Sequence, residues 1–102
     1  MSNNITFKYQ VRFAECKNIA TLPFDFGIYD NNKLIGVIEY QGKQHYYPIK
    51  YWGGEKQLKI RQARDLIKKL YCSTNNIPLL EVLYNEDNII TLLNYFMIMI
   101  RP

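Results

Sequence analysis

Ile5, Phe7, Tyr9, Val11 and Phe13 alternate with Thr6, Lys8, Gln10 and Arg12, a period of two that predicts a strand over residues 5–13. After a polar connection through Lys17 and Asn18, the runs Leu22 to Tyr29 and Leu34 to Gln41 flank Asp30-Asn31-Asn32-Lys33. Asn and Asp tolerate left-handed backbone angles, so the two runs read as a β-hairpin. Residues 46–54 are irregular, broken by Pro48 and Gly53-Gly54. From Glu55 to about Thr74, Ile60, Ala63, Leu66, Ile67 and Leu70 share one helical face, and Asn75-Asn76 supplies the stop. Ile77 to Tyr84 is a nearly continuous apolar run, which predicts a central strand packed on both faces. Asn85 or Asp87 can cap a last helix that buries Ile89, Leu92, Leu93, Phe96 and Ile100. The expected class is therefore α/β (α+β), with one small mixed sheet and the order β-β-β-α-β-α.

Length and composition narrow this further. A chain of 102 residues with 48% hydrophobic positions makes one domain spanning 1–102, with a small core and no room for a two-domain enzyme. Cys16 and Cys72 are too few for a disulfide framework and read as free thiols of a reducing cytoplasm. The opening MSNNITFKYQ lacks a signal-peptide pattern, and the longest apolar stretch, Tyr95 to Ile100, is far short of the ~20 residues that span a bilayer. A soluble, cytoplasmic protein is expected, in the host-cell cytoplasm if a phage encodes it.

The net charge of +4 is unevenly placed. Residues 43–70 hold Lys43, Lys50, Lys56, Lys59, Arg61, Arg64, Lys68 and Lys69 against Glu55 and Asp65, so this segment is +6 and the remainder slightly acidic. A localised basic stripe fits a polyanion through counterion release, and it equally fits a solvated helix face.

Two carboxylates fall on the hairpin. If Phe24, Phe26 and Ile28 share one face, Asp25 points to the other, and Ile35, Val37 and Glu39 share a face of the next strand. A three-residue loop at 31–33 sets Asp25 directly opposite Glu39; a two-residue loop makes the pair diagonal. Opposed carboxylates about 5 Å apart at Cβ repel unless a cation sits between them, and oxygen ligands at that spacing suit Mg²⁺. Strand-end carboxylates in water, each beside a Lys or Arg, are the plainer alternative. His45, the single histidine, titrates in the range of acid–base work, although a lone loop histidine is more often a surface residue. One His and two distant Cys leave no structural zinc site. No glycine-rich phosphate loop is present, and Ser2 and Ser73 lie in no nucleophile elbow.

The runs Leu22-Pro23-Phe24-Asp25-Phe26, Ile38-Glu39-Tyr40-Gln41-Gly42-Lys43-Gln44-His45-Tyr46, Ala63-Arg64-Asp65-Leu66-Ile67-Lys68 and Tyr71 to Leu80 together resemble the PD-(D/E)xK endonuclease superfamily. The resemblance lies closest to the very-short-patch-repair and phage homing-endonuclease branch. It implies a restriction-endonuclease-like core, Mg²⁺ or Mn²⁺ as cofactor, and DNA as partner. Asp25 and Glu39 match the metal-binding acids, Gln41 stands where this branch often has a second acid, His45 matches a catalytic His near the scissile phosphate, and Asp65 matches an acid that positions it. Lys43, Lys50, Tyr51, Trp52, Lys56, Lys59, Arg61 and Arg64 would contact DNA, with the aromatics stacking or wedging; covering the end of a small core is the other role open to Tyr51 and Trp52.

Departures from the pattern keep a second function in view. Gln41 replaces an acid, the superfamily Lys is absent from its place, Gln10 stands where relatives often carry an acid, and the usual N-terminal helix is missing, with Glu15 a substitute acid at most. The first expectation is a DNA endonuclease of homing, repair or phage type, working as a homodimer or with a protein partner that supplies the missing helix. The alternative is a catalytically impaired nuclease-like domain that binds DNA or inhibits or complements a nuclease partner.

Overall fold

The computed structural model describes residues 4–18, 20–42 and 54–101. Its elements are β1 (Ile5–Val11), β2 (Lys17–Asn18), β3 (Ala20–Thr21), β4 (Phe24–Asp30), β5 (Lys33–Gln41), α1 (Gly54–Thr74), β6 (Leu79–Leu83) and α2 (Ile89–Ile100). Apart from the two-residue pair β2–β3, this is the order β-β-β-α-β-α and the α+β class expected from the sequence. The main sheet has four strands in the order β1-β4-β5-β6. β1, β4 and β5 run antiparallel, and β6 joins β5 in parallel. A parallel neighbour needs a crossover, and α1 lies within it. β6 thus sits at the edge of the described sheet rather than at its centre, although its side chains pack on both faces.

The hairpin owes its register to two local devices. Asn31 and Asn32 have φ of 53° and 68°, the left-handed pair required by the two-residue turn whose twist matches the strands. That loop is one residue shorter than the loop that would face Asp25 with Glu39. A bulge restores the difference: Tyr29 pairs with Leu34 but Ile28 pairs with Gly36, leaving Ile35 as the extra residue. The bulge also turns Ile35 to the face opposite Val37 and Glu39, which corrects the expectation that the three share one.

The helices cover opposite faces of the sheet. One core cluster joins Cys16, Leu22, Phe24, Val37 and Cys72, with Ile67 and Tyr71 of α1 against it. The other joins Ile28, Ile38, Val82 and Phe96, with Leu92, Leu93 and Met97 of α2 against it. Phe24 belongs to the first cluster and Phe26 packs with the second, so these two do not share a face as alternation predicts. Beside them β1 also departs from regularity, since Gln10 has a φ of 52°, and Val11 then packs close over Gly27. Phe13, beyond the end of β1, stacks on Tyr71 with ring centroids 5.4 Å apart.

α1 ends as its sequence predicts. Asn76, at φ 55°, takes the left-handed position, Ile77 N–H donates to the Cys72 carbonyl at 2.9 Å, and Asn76 N–H donates to that of Ser73. Its buried stripe is shifted from the expected one. Leu66 and Leu70 are each 56% exposed, whereas Ile67, Lys68, Tyr71 and Cys72 turn toward the sheet. Both cysteines are free and buried.

Asn32 tests the turn. Asn32→Gly is expected to leave stability unchanged or slightly raised, while Asn32→Val, forced to a positive φ, costs about 1–2 kcal/mol by urea denaturation.

Candidate functional site

Asp25 and Glu39 meet where the β4–β5 ladder ends. The last ladder pair is Phe26 with Ile38, and one step further the register sets Asp25 against Glu39. There the strands exchange side chain for backbone. The Asp25 N–H donates to Glu39 Oε1 at 3.0 Å, and the Tyr40 N–H donates to Asp25 Oδ2 at 2.7 Å. Each carboxylate therefore caps the strand that carries the other. Hydrogen bonds to ionised acceptors are the stronger kind, so this exchange fixes both side chains.

Glu39 is only 4% exposed, and its charge is met by Lys68, whose Nζ lies 2.8 Å from Oε2. The lysine is itself nearly buried and lies over the Phe24 ring, 5.3 Å from its centroid. Burial pushes the Glu39 carboxyl above its ordinary range, and the bonds from Lys68 and the Asp25 N–H offset this only in part. The same surroundings push the Cys72 thiol up to about 11, again through burial first, which leaves it a protonated packing group rather than a nucleophile.

Two further groups extend the row across the sheet. Glu81 pairs directly with Glu39 in the parallel register, and its Oε2 accepts from Gln41 Nε2 at 2.9 Å and lies 3.5 Å from Lys69 Nζ. Gln41 is 4% exposed, and its Oε1 is buried without a hydrogen-bond partner. Gln41 follows Glu39 by two positions on β5, and an orphaned buried amide oxygen is, like a carboxylate oxygen, the kind of donor a hard cation takes. Asp25, Glu39 and Gln41 are thus the residues that fit Mg²⁺ or Mn²⁺. Among the described residues no three His, Cys, Asp or Glu side chains converge as a metal-binding group.

Above this row α1 presents charge. Arg61, Arg64, Asp65 and Lys68 line a cleft of about 200 Å³ with Leu22 and Pro23. Asp65 is half-buried in that cleft among basic side chains, while Lys56 and Lys59 are exposed earlier on the helix. Of the sequence-selected residues, Asp25, Glu39 and Gln41 lie on neighbouring strand positions of one hairpin. Arg61, Arg64 and Asp65 share the cleft beside them. His45, Lys43, Lys50, Tyr51 and Trp52 lie outside the described residues.

Sequence reasoning missed Lys68 and Glu81 as members of this constellation. A signal existed for Glu81, a lone carboxylate inside the apolar run Ile77 to Leu83. For Lys68 the signal was the spacing Arg61-Arg64-Lys68-Cys72, which puts cations on the helix side that carries a buried cysteine. The pattern of leucines pointed to a different side.

No protein-family model matches the chain, and no solved structure matches it. It is similar to two viral proteins. Uncharacterized protein 307L of Invertebrate iridescent virus 6 is 39% identical over 57 residues, covering 55% of this chain and 29% of that protein. Uncharacterized protein 094L of Frog virus 3 (isolate Goorha) is 39% identical over 61 residues, covering 58% of this chain and 39% of that protein. The matches thus span well under half of either relative's length. No helix among the described residues is long and apolar enough to cross a membrane.

The Lys68–Glu39 pair yields two predictions. Removing one member of a buried ion pair strands the other, so Lys68→Met is expected to cost about 3 kcal/mol, much of it recovered when Glu39→Gln is added; a double-mutant cycle in urea measures this. The second concerns pH. With the folded pKa of Glu39 above its ordinary value of 4.5, the native state holds the extra proton in that window. Stability therefore falls as pH rises from about 4.5 through the raised value. Glu39→Gln removes this slope, so its denaturation midpoint relative to wild type should climb across the same window and then level.

Proposed function

We propose that this domain is a Mg²⁺-dependent DNA endonuclease of the PD-(D/E)xK type, hydrolysing phosphodiester bonds. The observation that carries the reading is the exchange between Asp25 and Glu39 at the end of the hairpin, with the buried orphan oxygen of Gln41 two positions further along β5 and the basic cleft of α1 beside Lys68. Asp25, Glu39 and the Gln41 amide oxygen would hold the ion. Bound there, Mg²⁺ or Mn²⁺ supplies Lewis acidity to a phosphate oxygen and lowers the pKa of water. Asp25 and Glu39 bring the charge that attracts the cation, whereas Gln41 brings a lone pair without charge. Each carboxylate oxygen that accepts one N–H keeps a second lone pair.

Lys68 takes the part of the lysine that the strand lacks. Its ammonium stands beside Glu39, close enough to offset negative charge that builds on a reacting phosphate. Arg61 and Arg64 line the adjoining cleft and, with Lys56 and Lys59 on the same helix, would take the sugar–phosphate backbone. Asp65, on the same helix, would position His45. The reading assigns proton transfer to His45 and DNA contacts to Lys43, Lys50, Tyr51 and Trp52. The viral origin of both relatives is compatible with action in the cytoplasm of an infected cell.

A second reading draws on the same residues. Lys68 already bonds Glu39 Oε2, and an ammonium can neutralise the carboxylate in place of a metal. The domain would then bind DNA, or occupy a nuclease partner, without cleaving.

A plasmid-nicking assay with Mg²⁺ or Mn²⁺ separates the two. The endonuclease reading expects nicking by wild type, reduced about a hundredfold or more in Asp25→Ala, Glu39→Ala and His45→Ala. Salt-sensitive DNA binding with no cleavage of intact, mismatched or branched substrates supports the second reading instead. Arg64→Ala is expected to weaken binding on every DNA sequence and to lower the salt slope by about 0.9; an unchanged slope removes α1 from the DNA interface.

A further inference from the structure

α2 is apolar on the side that faces away from the protein. Its sequence, IITLLNYFMIMI, holds no charged residue in twelve positions, and of these only Phe96 is buried. Ile90, Tyr95, Ile98 and Met99 are 76%, 64%, 72% and 80% exposed. At 100° per residue they occupy the outer half of the helix, which they share with Thr91 and Asn94 alone. A helix that is hydrophobic all round is normally buried.

The surface beside it is apolar too. A groove of about 480 Å³ runs along one flank, with Phe7, Tyr9 and Tyr40 among the side chains lining it, and these are 56%, 77% and 50% exposed. A groove of about 450 Å³ lies on the other flank, under Tyr95 and Met99. α2 therefore forms a ridge between two furrows.

We infer that a second copy of this chain docks on this face, the α2 ridge of each protomer lying in the Phe7–Tyr9–Tyr40 groove of the other. Three observations choose this occupant. A ridge flanked by a groove is self-complementary under a two-fold axis, the symmetry of most homodimers. Neither ridge nor groove includes a Lys, Arg, Asp or Glu, so two copies meet without burying an unpaired charge, whereas a nucleic acid would find no cation there. The seven exposed side chains present on the order of 1,000 Å², more than monomers ordinarily leave uncovered and close to the ~800 Å² per partner of a standard interface. The carboxylate row and its basic cleft lie on the other face of the sheet, so this dimer leaves them open and its existence does not depend on the nuclease reading.

Sedimentation velocity of the full chain over about 1–200 μM tests the inference. Wild type is expected to sediment at twice the chain mass of 12.2 kDa at the upper concentrations. Ile98→Glu and Tyr9→Glu, which touch opposite sides of the same contact, should each shift the midpoint of dimerisation upward by tenfold or more, with the far-ultraviolet circular dichroism unchanged. Should a glutamate variant unfold, Ile98→Thr and Tyr9→Ser carry the same expectation with a smaller shift. A wild-type chain that stays monomeric throughout overturns the proposal, whether or not it then binds neutral phosphatidylcholine vesicles. A dimer indifferent to substitutions on both sides overturns it as well.

Discussion

The exchange of hydrogen bonds between Asp25 and Glu39 is the constraint on which the rest of the site depends. Where the β4–β5 ladder stops, each carboxylate accepts the backbone N–H that a continuing strand would have paired. The two acids thereby become structural caps, and two like charges are held close in a largely buried place. That arrangement is costly unless cations meet it. Lys68 meets it on Glu39, while the neighbouring Glu81 has Lys69 and the neutral amide of Gln41 as its partners. The orientation of α1 fits this: its sheet-facing side carries Lys68 at this level, and Leu66 and Leu70 are left outside.

Such a site contributes little to stability. A buried ion pair roughly breaks even against apolar packing of the same shape, and an orphaned amide oxygen is a net cost. The apolar interior lies on either side, in the Phe24–Val37–Cys72 cluster and the Ile28–Ile38–Phe96 cluster. Polar groups held at a net cost beside these clusters are where the chain departs from what stability alone would choose. The apolar outer side of α2 is the reverse case, surface that would gain from being covered.

Much of this was legible in the chain. The alternation from Ile5 to Val11, the Asn-Asn turn, the Asn76 stop and the long apolar C-terminal run each specify local structure through a local cause: side-chain period, tolerance of positive φ, or backbone capping. The facing of Asp25 and Glu39 was left open, because a three-residue loop would oppose the two acids and a two-residue loop would set them diagonally. The turn has two residues, and the bulge at Ile35 makes up the third. A bulge at Ile35 has no signature in composition, because one extra residue in an apolar strand leaves the pattern plausible on either face.

The residues by themselves determined the order of elements, the hairpin and the two acids at its open end, since all of these rest on interactions within a few positions of each other. Tertiary structure alone decided that β6 joins β5 in parallel, bringing Glu81 beside Glu39, and that α1 turns Lys68 rather than Leu66 toward the sheet. Helical amphipathicity ranks faces by hydrophobicity, but a face that lies over buried carboxylates is chosen by charge. That choice becomes visible only when strands distant in sequence set those carboxylates beneath it.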